Sequence, residues 1–417
     1  MKNINSSNFW YRIGVPTEFT WGYIGTFLFM LGSCIENSWF SAYLVDLGFS
    51  VSQAATIFSA FGIMVALGSW LSGICVEVWG AKKIMLIGLI AYLAFSIPFM
   101  LFALPSENYL AILLLCMGRG LGYPLFCYSF LVWLTIDVDV SIQGRATSYF
   151  WICYNLGFTI IGPVFAVQLI PFIGETAVIW VGIVLSIVGS LLALFLTKKK
   201  FIIKERNTTP LVEIKEGILI MFKRPRIGTA VIVKTINGLG TYGFVVVLPV
   251  FLINKGYSMA EWSTIWGATF ISNQIFNVIF GYLGDKIGFR KTIQLFGGTL
   301  TGVATIAVYL VPQLFGYNYW LFFLAMCFWG AGLAGFVPMS PLVPLMAPDN
   351  KGAANSAVNF GSGLGNFVGP ALVSLLVAFG TGAVMYTMAA LYLISVILTA
   401  FLKTPDELHQ PLKDEAA

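Results

Sequence analysis

Long apolar runs, interrupted by short clusters of glycine, proline and charge, follow one another along almost the whole chain. A helix needs roughly 20 apolar residues to cross a bilayer. Twelve runs reach that length, at about residues 19–45, 52–78, 84–104, 109–136, 145–171, 177–197, 228–253, 260–284, 292–312, 319–346, 352–378 and 382–402. A polar stretch from about 198 to 227 divides spans 1–6 from spans 7–12. It opens on KKK and closes on KRPR, and Leu211–Phe222 between them reads as a short amphipathic helix. The pattern predicts an all-α polytopic membrane protein with an N-terminal six-helix bundle (1–197) and a cytoplasmic linker (198–227). A C-terminal six-helix bundle (228–403) and a cytoplasmic tail (404–417) complete it.

The two halves repeat each other. GICVEVWGAKK at 73–83 and GYLGDKIGFRK at 281–291 carry glycine, acid, glycine and a basic pair at the same offsets. Gly73, Glu77, Gly80, Lys82 and Lys83 thus match Gly281, Asp285, Gly288, Arg290 and Lys291, 208 residues on. Gly48-Phe49-Ser50 before span 2 returns as Gly256-Tyr257-Ser258 before span 8, and Gly162-Pro163 in span 5 as Gly369-Pro370 in span 11. Matches at one period make an internal repeat. Two parallel six-helix repeats point to a transporter with its solute site at the midplane between them.

Composition agrees: the chain is 58% hydrophobic and 10% charged, with a mean hydropathy of +0.87, where soluble domains carry about 25% charged residues. The first eighteen residues lack the apolar core and cleavage site of a secretory signal, so span 1 is expected to stay as a helix. Lysine and arginine favour the cytoplasmic side. With the N-terminus inside, 20 of the 23 basic residues lie there; Lys255 alone lies outside, and Arg119 and Lys234 sit within spans. Both termini are expected to be cytoplasmic. The six cysteines lie in apolar runs with no C-x-x-C pair, and the single histidine, His409, lies in the tail, which argues against disulfides and a metal site. No nucleophile–base set or nucleotide-binding loop appears, so neither an enzyme, a cofactor, a nucleic-acid partner nor ATP coupling is expected. The chain is expected to act as a monomer in the bilayer.

Polar groups inside spans carry the chemistry. Glu36 lies ten residues from Asp46 at the end of span 1, and Arg119 twelve from Glu107 before span 4. At 1.5 Å per residue these depths are about 15 and 18 Å, so both reach the midplane, where a lone charge costs at least roughly 3 kcal/mol. Opposite charges at equal depth are expected to pair, for proton coupling or for structure. Trp39, Phe40 and Tyr43 follow Glu36 on one helical face; such a stripe more often belongs to a core than to a sugar-like pocket. Asn155, Asn237, Asn273, Gln274, Asn277, Asn359 and Asn366 all fall within spans. An amide both donates and accepts, which suits a neutral polyhydroxylated solute, although amides also bond helix to helix. Lys234, close to the end of span 7, is expected to snorkel to the near surface. Gly157, Gly162, Gly361, Gly365 and Gly369 are expected to permit close helix packing.

Over its whole length the chain resembles the major facilitator superfamily, whose signature is the G-x-x-x-D/E-x-x-G-x-R/K-R/K turn found here twice. Within it, Trp21-Gly22-Tyr23, Leu47-Gly48-Phe49-Ser50, RGLGYPLFCYSF (119–130) and KGAANSAVNFGSGLGNF (351–367) are similar to the ribitol and arabinitol permeases. The first turn departs from the usual form, with Glu77 for aspartate and Lys82 for arginine. The resemblance implies that each turn packs against the other half: Glu77, Lys82 and Lys83 near Lys351, and Asp285, Arg290 and Lys291 near Arg145, latching the cytoplasmic face. It implies import of a small polyol across a cytoplasmic membrane, with proton symport expected. As the only acid at the midplane, Glu36 is the expected coupling carboxylate and Arg119 its partner. An antiporter of drugs or metabolites and a non-transporting nutrient sensor are the alternatives.

Overall fold

The computed structural model describes residues 16–138, 140–197, 219–348 and 351–403. The side chains at 73, 74, 77, 78, 140–145, 285, 351–353, 355 and 356 lie outside the described residues, as do the tail and most of the linker with its amphipathic stretch. Among the described residues the spans are α1 (Thr20–Ser33, resuming after a turn as Phe40–Asp46), α2 (Val51–Trp79), α3 (Ala81–Ser106), α4 (Tyr109–Asp137), α5 (Ala146–Ile173) and α6 (Glu175–Leu196). The second six are α7 (Pro225–Ile253), α8 (Met259–Ile287), α9 (Phe289–Leu314), α10 (Tyr319–Leu345), α11 (Lys351–Leu376) and α12 (Thr381–Ala400). Ten of these spans are long and apolar enough to cross a membrane by themselves. The two that fall short are α1, which breaks around Glu36, and α8, a continuous helix that carries Asn273, Gln274 and Asn277 within its apolar run.

The repeat reappears as geometry. Ser50 and Gln53 close a capping box on α2, and Ser258 and Glu261 close the same box on α8. At the charged turns Gly80 and Gly288 take φ of 86° and 94°, a region where a side chain is strained. Each half buries its own hydrophobic core. α1 packs on α5 and α6 as α7 packs on α11 and α12. Glycines set these contacts. A Cβ on Gly32 of α1 would lie 2.2 Å from the Gly182 carbonyl of α6, and one on Gly369 of α11 would lie 2.5 Å from the Leu239 carbonyl of α7. Gly157 and Gly361 are pressed in the same way against α1 and α7.

The halves meet where α2 crosses α11 and α5 crosses α8. Among the described residues, the hydrogen bonds across this seam gather on the face of the α1–α2 and α7–α8 loops. Ser38 Oγ bonds Ser263 Oγ (3.1 Å), Trp262 Nε1 donates to the Ser38 carbonyl (2.9 Å) and Ser41 Oγ to the Val245 carbonyl (2.8 Å). Ser52 Oγ donates to the Ser374 carbonyl (2.9 Å), Thr56 Oγ1 bonds Ser374 Oγ (2.8 Å), and Ser59 Oγ donates to the Phe367 carbonyl (3.3 Å). The charged turns lie on the opposite face, so this conformation is sealed at one end of the seam.

Candidate solute and proton site

Two broken helices bring Glu36 and Arg119 together. In α1 the backbone tightens to three-residue bonds through 34–39, with Asn37 N donating to the Cys34 carbonyl (3.0 Å) and Trp39 N to Glu36 (3.2 Å). Ser33, Asn37 and Ser38 suit such a break, because short polar side chains compete with helical backbone bonds. In α4 the regular turns stop after Arg119, where Gly120 N bonds Met117 (3.0 Å) and Leu121 N bonds Gly118 (3.2 Å) before Pro124. Irregular backbone at membrane depth is tolerated only when protein buries it, and the seam bonds at Ser38 and Ser41 do so here.

Arg119 Nη1 lies 2.6 Å from Glu36 Oε1, both side chains nearly inaccessible. The guanidinium also donates from Nε to Ser96 Oγ (3.1 Å) and lies 4.7 Å over the Phe99 ring. The ion pair is close but poorly aligned as a hydrogen bond, and Arg119 Nη1, Glu36 Oε2 and Asn37 Nδ2 are buried without a hydrogen-bond partner. Beside them is a cavity of about 40 Å³, lined by Ser33, Cys34, Glu36, Asn37 and Phe40 of α1, Phe58 and Phe61 of α2, Cys116 and Tyr123 of α4, Phe158 of α5, Tyr242 and Val245 of α7 and Asn366 and Pro370 of α11. At about 10–15 Å³ of this measure per water, it holds about three waters, so a five-carbon solute requires the helices to part.

Of the residues singled out in the sequence, Glu36 and Asn366 line this cavity and Phe40 joins them. Trp39 is buried in the N-terminal core instead, its Nε1 donating to the Ile35 carbonyl (3.0 Å) and its ring edge-on to Tyr43 (5.8 Å). The Trp39, Phe40 and Tyr43 rings stay in mutual contact, with centroids 5.8 to 6.5 Å apart, but of them only Phe40 lines the cavity. Asn155 is half-buried and its carbonyl accepts from Thr159 (3.0 Å). Asn273 donates to the Gly330 carbonyl of α10 (3.0 Å) and accepts from Asn277 (3.2 Å), which also approaches Gln274 (3.5 Å). Asn273 thus joins α8 to α10, Asn277 bonds within α8, and none of these amides lines the cavity. Asn237 spans Lys234 Nζ (3.1 Å) and the Leu333 carbonyl (3.4 Å), and Asn359 is exposed. Asn37, Tyr123 and Tyr242 escaped the sequence reading. Asn37 was legible as the amide next to Glu36; the tyrosines look like any core aromatics until α4 and α7 converge.

At the turns, Lys82 Nζ donates to the Thr197 carbonyl after α6 (2.7 Å), and Arg290 Nη1 to the Ala400 carbonyl of α12 (3.4 Å). Both basic groups reach the last helix of their own half, where a helix C-terminus attracts cations. Lys83 and Lys291 are exposed, and the side chains of Glu77, Arg145, Asp285 and Lys351 lie outside the described residues.

The family model "Major Facilitator Superfamily" matches residues 22–276 and 262–417. An alpha-ketoglutarate permease of Bacillus subtilis is 43% identical over 95% of this chain and 92% of its own, and a ribitol transporter of Klebsiella pneumoniae is 33% identical over 98% of both. The crystal structure of a D-xylose–proton symporter superposes with a TM-score of 0.69 at 15% identity, covering 91% of this chain and 95% of that one. Paired six-helix halves, charged turns repeated between them and full-length relatives named as transporters agree: this chain is a multi-pass membrane transporter and belongs to the major facilitator superfamily.

Proposed function

We propose that the chain is a proton-coupled importer of a small, oxygen-rich solute, working by alternating access in the cytoplasmic membrane with both termini inside. The observation that carries this is the buried Glu36–Arg119 ion pair, with Glu36 at the wall of a cavity between the halves and Glu36 Oε2 and Asn37 Nδ2 without a hydrogen-bond partner. Those atoms supply one acceptor and one donor to a solute hydroxyl or carbonyl. A proton on Glu36 cancels its attraction for Arg119 and frees the guanidinium for the solute.

The positive-inside bias assigns the sealed end of the seam to the exterior, so the conformation is inward-facing. In the outward-facing state the charged turns would close the cytoplasmic end, Glu77 and Asp285 each against the opposite half. Ribitol and D-arabinitol transporters at 33% and 32% identity support a polyol as solute; the 43% identical relative named for alpha-ketoglutarate supports a keto acid.

The test is Glu36→Gln in proteoliposomes, compared in one preparation for counterflow and for uptake driven by a proton gradient, with ribitol and 2-oxoglutarate as solutes. Counterflow is expected to persist while gradient-driven accumulation is lost. Uphill, proton-driven uptake retained in Glu36→Gln overturns the coupling role.

A further inference from the structure

Deep in the described spans, one charged side chain remains outside the coupling pair. Lys234 lies nine residues into α7, about 13 Å along its axis. Centred on a hydrocarbon layer about 30 Å thick, a helix of 29 residues places it about 7 Å inside the near boundary. The side chain does not snorkel. Helical side chains lean towards the N-terminus, here the nearer surface, yet Nζ turns the other way and donates to Asn237 Oδ1 (3.1 Å), one turn deeper. Asn237 is itself held by its Nδ2 on the Leu333 carbonyl of α10 (3.4 Å). An anchored amide thus draws the ammonium inwards.

The face that carries it leads to the cavity. Lys234, Asn237, Gly238, Thr241 and Tyr242 are half-buried along one side of α7, whereas Ile232 on another side is exposed. Tyr242 is part of the cavity wall shared with Glu36. From Asn237, where the ammonium ends, to Tyr242 is about 7.5 Å along the helix, the reach of a short carbon chain. The charge balance decides what suits this position. Glu36 and Arg119 cancel, and Asn237 supplies an oxygen but no charge, so Lys234 leaves the interior one positive charge in excess among the described residues. With the coupling proton on Glu36, Arg119 and Lys234 carry two positive charges during reorientation. A neutral polyol leaves both uncompensated, whereas the two carboxylates of a dicarboxylate such as 2-oxoglutarate cancel them.

We propose that Lys234 is the carboxylate-binding and specificity-determining residue of the pathway, so that the transported solute is a small organic anion. The inference rests on the transport reading above and selects between its two solute classes. The experiment uses full-length protein in proteoliposomes with radiolabelled 2-oxoglutarate and ribitol, on wild type, Lys234→Met and Lys234→Arg, with melting curves to show that each is folded. Wild type is expected to take up 2-oxoglutarate in preference to ribitol. Lys234→Met should lose about tenfold or more in affinity for it, as expected for a lost charge-assisted contact, and Lys234→Arg should retain part of it. Preference of wild type for ribitol overturns the proposal whatever the variants do, and leaves transport itself standing; so does unchanged 2-oxoglutarate affinity in folded Lys234→Met. Uptake of neither solute by wild type overturns the solute assignment of the transport reading instead.

Discussion

Glu36 and Arg119 are bound to each other and to little else: one serine hydroxyl, the Tyr92 and Phe99 rings and, for Glu36, the cavity. Removing one partner of a buried ion pair leaves the other uncompensated, typically at about 3–5 kcal/mol. Arg119→Ala is therefore expected to lower the melting temperature sharply. Adding Glu36→Gln should restore part of the loss, a non-additivity that thermal melting of the singles and the double reads directly. The aromatic and amide residues divide by position. Asn366→Ala, on the cavity wall, is expected to weaken solute binding about 2–13-fold, the value of one hydrogen bond of about 0.5–1.5 kcal/mol. Trp39→Ala, in the core, should cost about 3–5 kcal/mol of stability and leave affinity within twofold in protein that remains folded. Equilibrium binding beside melting curves separates the two; a large affinity loss in stable Trp39→Ala would return that ring to the site.

At the scale of the element, the spans and their caps follow from local chemistry. Apolar length makes the helix, Ser50 and Ser258 start α2 and α8, and a glycine with positive φ turns the chain at 80 and 288. The breaks in α1 and α4 were not legible, because Gly, Ser and Asn within an apolar run are compatible with continuous helix until neighbours satisfy the freed backbone. Glycines at the α1–α6 contact were also passed over, whereas those of α5 and α11 were read correctly as packing residues. Gly32→Ala would place its methyl against the Gly182 carbonyl at 2.2 Å and Ser186 Oγ at 2.5 Å. Overpacking of this kind costs about 1–3 kcal/mol, so reduced melting temperature is expected with the solute preference unchanged. An unaltered melting temperature would mean that α1 and α6 separate without cost.

Alternating access belongs to the whole molecule, as a balance between two ends of one seam. The serine cluster and Trp262 close the end described here. Trp262→Phe removes the bond to the Ser38 carbonyl while keeping an aromatic ring. It should shift the population about 2–13-fold away from the inward-facing state. Pulsed-EPR distances between labels at Gln53 and Leu375, on either side of the seam, should show a larger long-distance fraction. Asp285→Asn and Glu77→Gln should move the balance the other way if the turns latch the opposite end. Unchanged distance distributions in both would remove the latch.

The sequence by itself determined the class of molecule, the two-fold repeat, the location of the turns and the meeting of Glu36 with Arg119. Those depend on hydropathy, period and depth, which are properties of residues counted along one axis. Tertiary structure alone decided which way side chains face. It sent Trp39 to the core and Asn273 to α10, aimed Lys234 inwards, and tied Lys82 and Arg290 to the last helices of their own halves. Depth is additive along a helix, but direction depends on rotation and on breaks, and a single turn such as that at 34–39 redirects every side chain beyond it.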